Sequence, residues 1–255
     1  MMKVKNVLVS QPKPQTEKSP YFDLSEDYKV KIDFRPFIHI EGVPKNEFRQ
    51  QKINILDFDA VIFTSRNAVD HYFRAADEAR ITVPDDMKYF CISESTAFYL
   101  QKYIVYRKRK IFHGQQRFAE LIPLLKKHKE NKYLLPCSDI LRPNIPQLLE
   151  ENGIDFKAAT LYRTVCSDLS DLSDVDYDVL VFFSPSGIKS LYQNFPGFKQ
   201  NDTRIAVFGP TTAKAAEEAG LNIDIAAPQP ESPSMTRALE LYIKKANRNG
   251  KNGRN

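Results

Sequence analysis

The stretch DYDVLVFFSPSGIKSLY, residues 176–192, has a near twin in DFDAVIFTSRNAVDHYF, residues 57–73. In both copies an Asp-aromatic-Asp triplet leads into a short apolar run, and a cluster of hydroxyl-bearing residues follows. These hydroxyls belong to Thr64 and Ser65 in the first copy and to Ser184 and Ser186 in the second. A helical pattern comes next in each copy. Because buried strands that alternate with helices are typical of parallel sheets, this stretch predicts an α/β fold.

A second matched pair lies beyond the first. KYFCISESTAFYL at 88–100 and RIAVFGPTTAKAA at 204–216 both contain a strand, a turn and a Thr-Ala dipeptide that opens a helix. A weaker pair joins NVLVSQP at 6–12 to KYLLPCS at 132–138. All doubly wound proteins repeat strand, loop and helix, so this pattern alone does not indicate a duplication. The shared Asp-aromatic-Asp and Thr-Ala favour a true duplication.

Two segments, 28–42 and 155–168, lack helical periodicity and alternate apolar with polar residues, which is typical of exposed strands. We therefore expect two doubly wound parallel-sheet domains of flavodoxin-like type, joined by a two-stranded β ladder. The predicted boundaries are 1–33 plus 169–247 for domain 1, 43–156 for domain 2, 34–42 and 157–168 for the ladder, and 248–255 for a disordered tail.

Charge and motifs exclude several functions. The net charge is +5, and Arg248, Lys251 and Arg254 in the C-terminal ANRNGKNGRN supply three of these charges. The one basic stretch, KYIVYRKRK at 102–110, is more typical of a solvated face than of a nucleic-acid interface, so no nucleic-acid partner is expected. Neither a Walker loop nor a Gly-x-Gly-x-x-Gly motif occurs, and nucleotide binding is not predicted.

The Cys and His residues indicate neither a disulfide framework nor a metal site. The three cysteines are widely spaced in or beside apolar runs, and Cys137 is interpreted as a packing residue. The four histidines have no metal-ligand spacing. No targeting segment or long apolar span is present. We expect a cytoplasmic, monomeric protein without membrane contact, metal or cofactor.

Four hydroxyl-rich turns, TSRN, SEST, SPSG and GPTT, lie where predicted strands end and helices begin. Helix N-termini present free N–H groups and partial positive charge, which suit carboxylates or phosphates. The alternative is that these side chains only cap helices. Tyr162, in TLYRT, is a possible proton donor to a departing hydroxyl group; the alternative is an aromatic residue that packs across the ladder.

Five motifs, VIFTSRNAV, LPCSDILRPNIPQLLEENGI, LYRT, FFSPSG and IAVFGPTTAKAAEEAGL, resemble the uroporphyrinogen-III synthase family. The resemblance extends over nearly the whole chain. It implies a cofactor-free lyase that cyclises the linear tetrapyrrole hydroxymethylbilane, with inversion of its last ring and loss of water. It also implies transient contact with the preceding deaminase. The alternative is a non-catalytic two-domain binding protein for a polyanionic small molecule.

The resemblance assigns roles to individual residues. Tyr162 is expected to assist hydroxide departure, and Arg142 matches a basic residue that follows one motif. The expected substrate-binding residues are Thr64, Ser65, Thr96, Ser184, Ser186, Gly187, Gly209, Thr211 and Thr212. One loop departs from the family pattern, because Ser93 and Glu94 stand where a glycine-containing turn is usual. We expect Ser93 to adopt a turn that glycine makes more easily, and Glu94 to weaken this loop as an anion site.

Overall fold

The computed structural model describes residues 2–141, 143–172 and 176–249. The chain divides into two compact units. The first unit consists of Met1–His39 with Val165–Asn255, and the second of Ile40–Thr164. The predicted boundaries of the two domains and of the β ladder remain a proposal.

The strands are β1 Asn6–Val9, β2 Lys31–Phe34, β3 Ile38–Gly42, β4 Ala60–Phe63, β5 Lys88–Cys91, β6 Ile111–His113, β7 Tyr133–Ser138, β8 Phe156–Cys166, β9 Val179–Phe182, β10 Arg204–Phe208 and β11 Ile223–Ala227. The α-helices are α1 Pro20–Tyr28, α2 Lys45–Gln50, α3 Arg66–Ala79, α4 Glu94–Tyr99, α5 Ile122–Lys126, α6 Asn144–Glu151, α7 Pro185–Asn194, α8 Pro210–Glu218 and α9 Met235–Asn249. Short 3₁₀ turns lie at Ile55–Asp57, Leu100–Lys102 and Phe118–Leu121.

Each unit contains its own sheet. The five-stranded sheet has the order β11-β10-β9-β1-β2, and all four of its strand pairs are parallel. The six-stranded sheet has the order β3-β8-β7-β4-β5-β6, with parallel pairing from β8 to β6. The chain passes from the first unit to the second within β3 and returns within β8.

Strands β4 and β9, in the middle of the two sheets, are apolar throughout because helices cover both faces of each sheet. In β4, Val61 and Phe63 pack into one core cluster, while Ala60 and Ile62 pack into another. In β9, residues 179 and 181 pack into one cluster and residues 180 and 182 into a second. The predicted fold class, two parallel α/β sheets with covering helices, is confirmed.

The second Asp of each Asp-aromatic-Asp triplet has a structural role. Asp59 Oδ2 accepts a hydrogen bond from the backbone N–H of Lys132, at 2.8 Å. In the other copy, Asp178 Oδ2 accepts from the N–H groups of Lys5 and Asn6, at 2.7 and 2.9 Å. Each carboxylate thus joins the start of its strand to the start of a neighbouring strand, at the end of the sheet opposite the hydroxyl turns.

Two segments differ in detail from the sequence-based expectation. The alternating segment 28–42 contains two strands, because β2 pairs with β1 in the first sheet before β3 begins. Helix α9 includes Arg248 and Asn249, where the disordered tail was expected to start. Residues 250–255 of that tail lie outside the described residues.

Within the described part of the chain, no helix is both long and apolar enough to cross a membrane.

Candidate functional site

Hydroxyl side chains cap the helices that follow the twin strands. Ser65 precedes α3, and its Oγ accepts from the backbone N–H of Ala68 at 3.1 Å. Ser184 precedes α7, and its Oγ accepts from Gly187 N–H at 3.2 Å. Both serines therefore perform the capping role that the alternative interpretation assigns them. Thr64, between β4 and Ser65, is half-buried.

In the first unit, three small residues come together beside α7. A Cβ atom added to Gly187 would lie 3.7 Å from Ser184 Oγ and 3.8 Å from Ser10 Oγ. Ser10 directly follows β1, and its N–H donates to the Val181 carbonyl at 3.0 Å. Ser186 is half-buried, and no described residue hydrogen-bonds its hydroxyl. Ser10 was not among the predicted site residues, although the strand-ending hydroxyl of NVLVSQP was a signal for it.

Helix α8 begins without a side-chain cap. Gly209 has φ +88° and ψ 152°, a conformation that residues with a Cβ rarely adopt. Its N–H donates to the Ala227 carbonyl at 2.7 Å. Because Gly209 has no side chain and Pro210 no N–H, the first-turn N–H groups of Thr211 and Thr212 lack a local acceptor. The Thr211 side chain is exposed, whereas Thr212 is only 1% exposed.

In the second unit, the turn before α4 corresponds to the turn before α8, and a serine side chain caps it. Ser93 Oγ accepts from Thr96 N–H at 3.3 Å and lies 3.1 Å from Thr96 Oγ1. Ser93 has φ −147°, which is ordinary extended backbone, so the expectation that it adopts a glycine-like turn was wrong. Thr96 is 4% exposed, and Glu94 stands exposed at the first helical position. The capped α4 thus offers less to an anion than the open α8.

Tyr162 lies in β8 with its hydroxyl beside the α3 cap. Its Oη is 3.3 Å from Ser65 Oγ, and the residue is 7% exposed. Burial raises the pKa of the Tyr162 phenol, while the hydrogen bond to Ser65 opposes that shift. The phenol therefore keeps its proton at neutral pH and can donate it in a hydrogen bond. The structure brings these two predicted site residues together.

Two residues of α3 that the sequence did not single out hold Tyr162. The ring of His71 stacks on the Tyr162 ring, with centroids 5.1 Å apart and 18° between the planes. Arg74 Nε donates to His71 Nδ1 at 3.2 Å, which leaves the neutral ring its proton on Nε2. Burial, followed by the charge of Arg74, lowers the pKa of His71.

Arg74 also fixes the backbone next to Tyr162. Its Nη2 donates to the carbonyls of Leu161 and Val43, at 2.9 and 3.0 Å. Its Nη1 pairs with Glu78 at 2.6 Å. A Cβ atom on Gly42 would lie 2.5 Å from Arg74 Cζ, so glycine allows this close approach. The only sequence signal was the three-residue spacing that places His71 and Arg74 on one helix face.

The described residues contain no group of three or more His, Cys, Asp or Glu that could hold a metal ion. Cys137 is buried and its Sγ donates to the Ala159 carbonyl at 3.4 Å. Burial raises the pKa of the Cys137 thiol, and it raises that of Cys91 to about 12. These two thiols are therefore packing residues rather than nucleophiles. Arg142 lies outside the described residues.

The fold and these turns define a class: an α/β protein of two parallel-sheet units, with hydroxyls and open N–H groups where strands lead into helices and a buried phenol within β8. The family model described as uroporphyrinogen-III synthase HemD matches residues 21–237. The chain belongs to the uroporphyrinogen-III synthase family.

Individual relatives agree with this assignment. The chain is 26% identical to the uroporphyrinogen-III synthase of Chlorobaculum parvum over 257 residues, which cover 94% of this chain and 100% of that protein. It is 30% identical to the Saccharomyces cerevisiae uroporphyrinogen-III synthase over 131 residues, 44% of this chain and 46% of the yeast protein.

Two crystal structures share the fold. The uroporphyrinogen-III synthetase of Helicobacter pylori 26695 has a TM-score of 0.60 and 21% identity, covering 94% of this chain and 99% of that one. A mutant uroporphyrinogen III synthase from the extremely thermophilic bacterium Thermus thermophilus has a TM-score of 0.54 and 17% identity, covering 96% and 99%.

Proposed function

We propose that this protein converts hydroxymethylbilane into uroporphyrinogen III, with inversion of ring D and loss of water. Members of its family are cyclising lyases of tetrapyrrole biosynthesis, and the family match over residues 21–237 is the observation that carries the proposal. It favours the lyase over the alternative of a non-catalytic binding protein. We further propose that the protein is a cytoplasmic monomer and contacts the preceding deaminase only transiently.

Tyr162 is proposed to assist departure of the terminal hydroxyl group. The phenol is protonated, buried and hydrogen-bonded to Ser65. A hydrogen bond from such a donor stabilises negative charge as it develops on the leaving oxygen. Departure of hydroxide leaves the positive charge on the electron-rich pyrrole, and loss of the pyrrole N–H proton then gives the neutral azafulvene, so hydroxide and proton together account for the water lost. This step requires a placed donor rather than a strong acid.

The following steps depend on the positions of the reacting carbons more than on acid-base catalysis. The substituted carbon of ring D attacks the azafulvene and forms a spiro intermediate, which fragments and recloses in the inverted sense. Because uncatalysed closure gives the uninverted isomer, the protein must hold the chain in one geometry. Restricting the reacting groups in this way can lower the activation barrier by about 7 kcal/mol.

The strand-end turns are proposed to bind the carboxylates of the substrate. The open start of α8 is the best placed, because the N–H groups of Thr211 and Thr212 have no cap and the helix dipole favours an anion there. Ser186 and the exposed Thr211 hydroxyl add donors. Thr64, Ser65, Ser184, Gly187 and Gly209 shape these turns, while the buried Thr96 and Thr212 have less access to a ligand.

The function is tested by supplying porphobilinogen and its deaminase and identifying the oxidised product by chromatography. Isomer III should appear only when this protein is present. Substitution Tyr162→Phe should lower kcat by about a hundredfold while substrate and product affinity change little. Tyr72→Phe is the matched control, because Tyr72 is also a buried phenol of the second unit but no described residue hydrogen-bonds its hydroxyl. Unchanged turnover in Tyr162→Phe would return Tyr162 to a packing role.

A further inference from the structure

A cavity of about 670 Å³ lies in the second unit, along the flank of α3. Its walls come from α3, the loop at 81–85, the start of β5 and the segment 103–111. Neither Tyr162 nor any of the hydroxyl residues discussed above lines it, although Arg74, which supports Tyr162, contributes to its wall. Its volume falls within the range of small-molecule sites in proteins.

The cavity walls are held in place by contacts of their own. Asp70 accepts hydrogen bonds from Tyr99 at 2.9 Å, from Lys102 at 2.9 Å and from Tyr103, which ties the 103–111 segment to α3. The Tyr103 ring stacks on Phe73, with centroids 4.5 Å apart and 8° between the planes. Phe73 and Tyr103 both line the cavity. They form an aromatic patch of the cavity wall that their own stacking holds in place.

Tyr89 supplies an unpartnered donor to this cavity. The residue is 3% exposed and lines the cavity, yet no described residue hydrogen-bonds its hydroxyl. Burial raises the pKa of the Tyr89 phenol, so the hydroxyl is protonated. Tyr89 Oη is therefore a free donor at the cavity wall, and a ligand acceptor can bind it.

One end of the cavity is basic. Four consecutive cations occupy residues 107–110, and two of them, Arg107 and Lys110, line the cavity. Among the described residues, Asp85 is the one acid that pairs with Arg107, with 3.8 Å between Arg107 Nη2 and Asp85 Oδ2. Lys110 donates to the backbone carbonyl of Asp85 and not to its carboxylate. Of the other acids at the cavity, Asp70 is already paired with Lys102, and Asp77 stands exposed on α3.

We propose that this cavity is a second ligand site, which binds a small organic anion with a flat apolar body, in chemical terms an aromatic carboxylate. The flat body lies against Phe73 and Tyr103, and a ligand oxygen accepts from Tyr89. The carboxylate lies at the Arg107 and Lys110 end. This site does not depend on the reaction proposed above.

The test is a titration of the full chain with naphthalene-2-carboxylate, followed by calorimetry. We expect saturable binding at one site. Tyr89→Phe removes one hydrogen bond and should weaken binding about fivefold. Arg107→Gln removes a charge-assisted contact and should weaken it about tenfold.

Two matched controls separate these contacts from general effects. Tyr72→Phe removes a buried hydroxyl of the same unit that no described residue hydrogen-bonds and that does not line the cavity, and Lys108→Gln removes a neighbouring cation outside the lining. Both should bind the probe like the native protein. The neutral analogue naphthalene-2-carboxamide should bind the native protein more weakly than the carboxylate, and it should bind Arg107→Gln and the native protein equally.

The proposal is overturned if the carboxylate shows no saturable binding. It is also overturned if Tyr89→Phe and Arg107→Gln, with native circular dichroism and melting temperature, bind it as tightly as the two controls. Equal affinity of the native protein for carboxylate and carboxamide would contradict the anionic character of the ligand.

Discussion

At the scale of single residues, Arg74 connects more of the candidate site than any residue the sequence motifs identify. It contacts His71, two backbone carbonyls and Glu78, and one of these carbonyls belongs to the neighbour of Tyr162. Tyr162 and Ser65 could be predicted from motifs, since both stand in recognisable turns or segments. Arg74 could not, because its role depends on a carbonyl 87 positions away along the chain.

We expect Arg74→Met to lower the free energy of unfolding by about 2 kcal/mol, because the Val43 carbonyl loses its donor and the Leu161 carbonyl keeps only the N–H of Val43. It should also lower kcat more than it changes KM, since Tyr162 loses its support. Urea unfolding and steady-state kinetics measure the two effects. Glu78→Gln removes only a half-exposed ion pair and should cost less than about 1 kcal/mol. Equal effects of the two substitutions would contradict the positioning role of Arg74.

His71 provides a prediction about pH. Its pKa is lowered in the folded protein by burial and by Arg74, against the opposing charges of Asp70 and Glu78. The unfolded chain therefore binds the proton more readily, and stability falls as the pH drops below the ordinary histidine pKa of about 6.5. His71→Phe keeps a flat ring but cannot titrate, so its loss of stability towards acid should be shallower. Identical pH profiles of urea unfolding would contradict this prediction.

At the scale of secondary-structure elements, the twin stretches are equivalent strands with equivalent acidic anchors. Asp59 and Asp178 each accept backbone N–H groups from the start of a neighbouring strand. The repeat of strand, turn and helix could be predicted, because apolar runs and helical spacing are local signals. The anchoring role of the acidic residues could not, since their partners belong to distant segments.

Asp178→Ala should lower the free energy of unfolding by about 2 kcal/mol, because the N–H groups of Lys5 and Asn6 lose their charged acceptor. The same triplet contains its control. Asp176 is exposed and no described residue pairs with it, so Asp176→Ala should change stability by less than about 0.5 kcal/mol. Denaturant unfolding of both variants compares them, and a similar loss in each would contradict the anchor.

At the scale of the whole molecule, the chain builds two sheets with cores on both faces and passes between its units within β3 and β8. This architecture could be predicted because two segments of alternating residues stood between regions of strand and helix repeats. The split of 28–42 into β2 and β3 could not, since both strands alternate in the same way and only their pairing partners differ. The family match adds the reaction, which neither fold nor spacing defines.

The central claim is that this protein closes a linear tetrapyrrole with inversion of the last ring. The most direct measurement is the fraction of isomer III among the oxidised products of a coupled assay, in which deaminase and porphobilinogen are fixed and this protein is varied. We predict that isomer III rises with protein concentration until it replaces isomer I. Isomer I alone at every concentration, with the deaminase active, would contradict the claim.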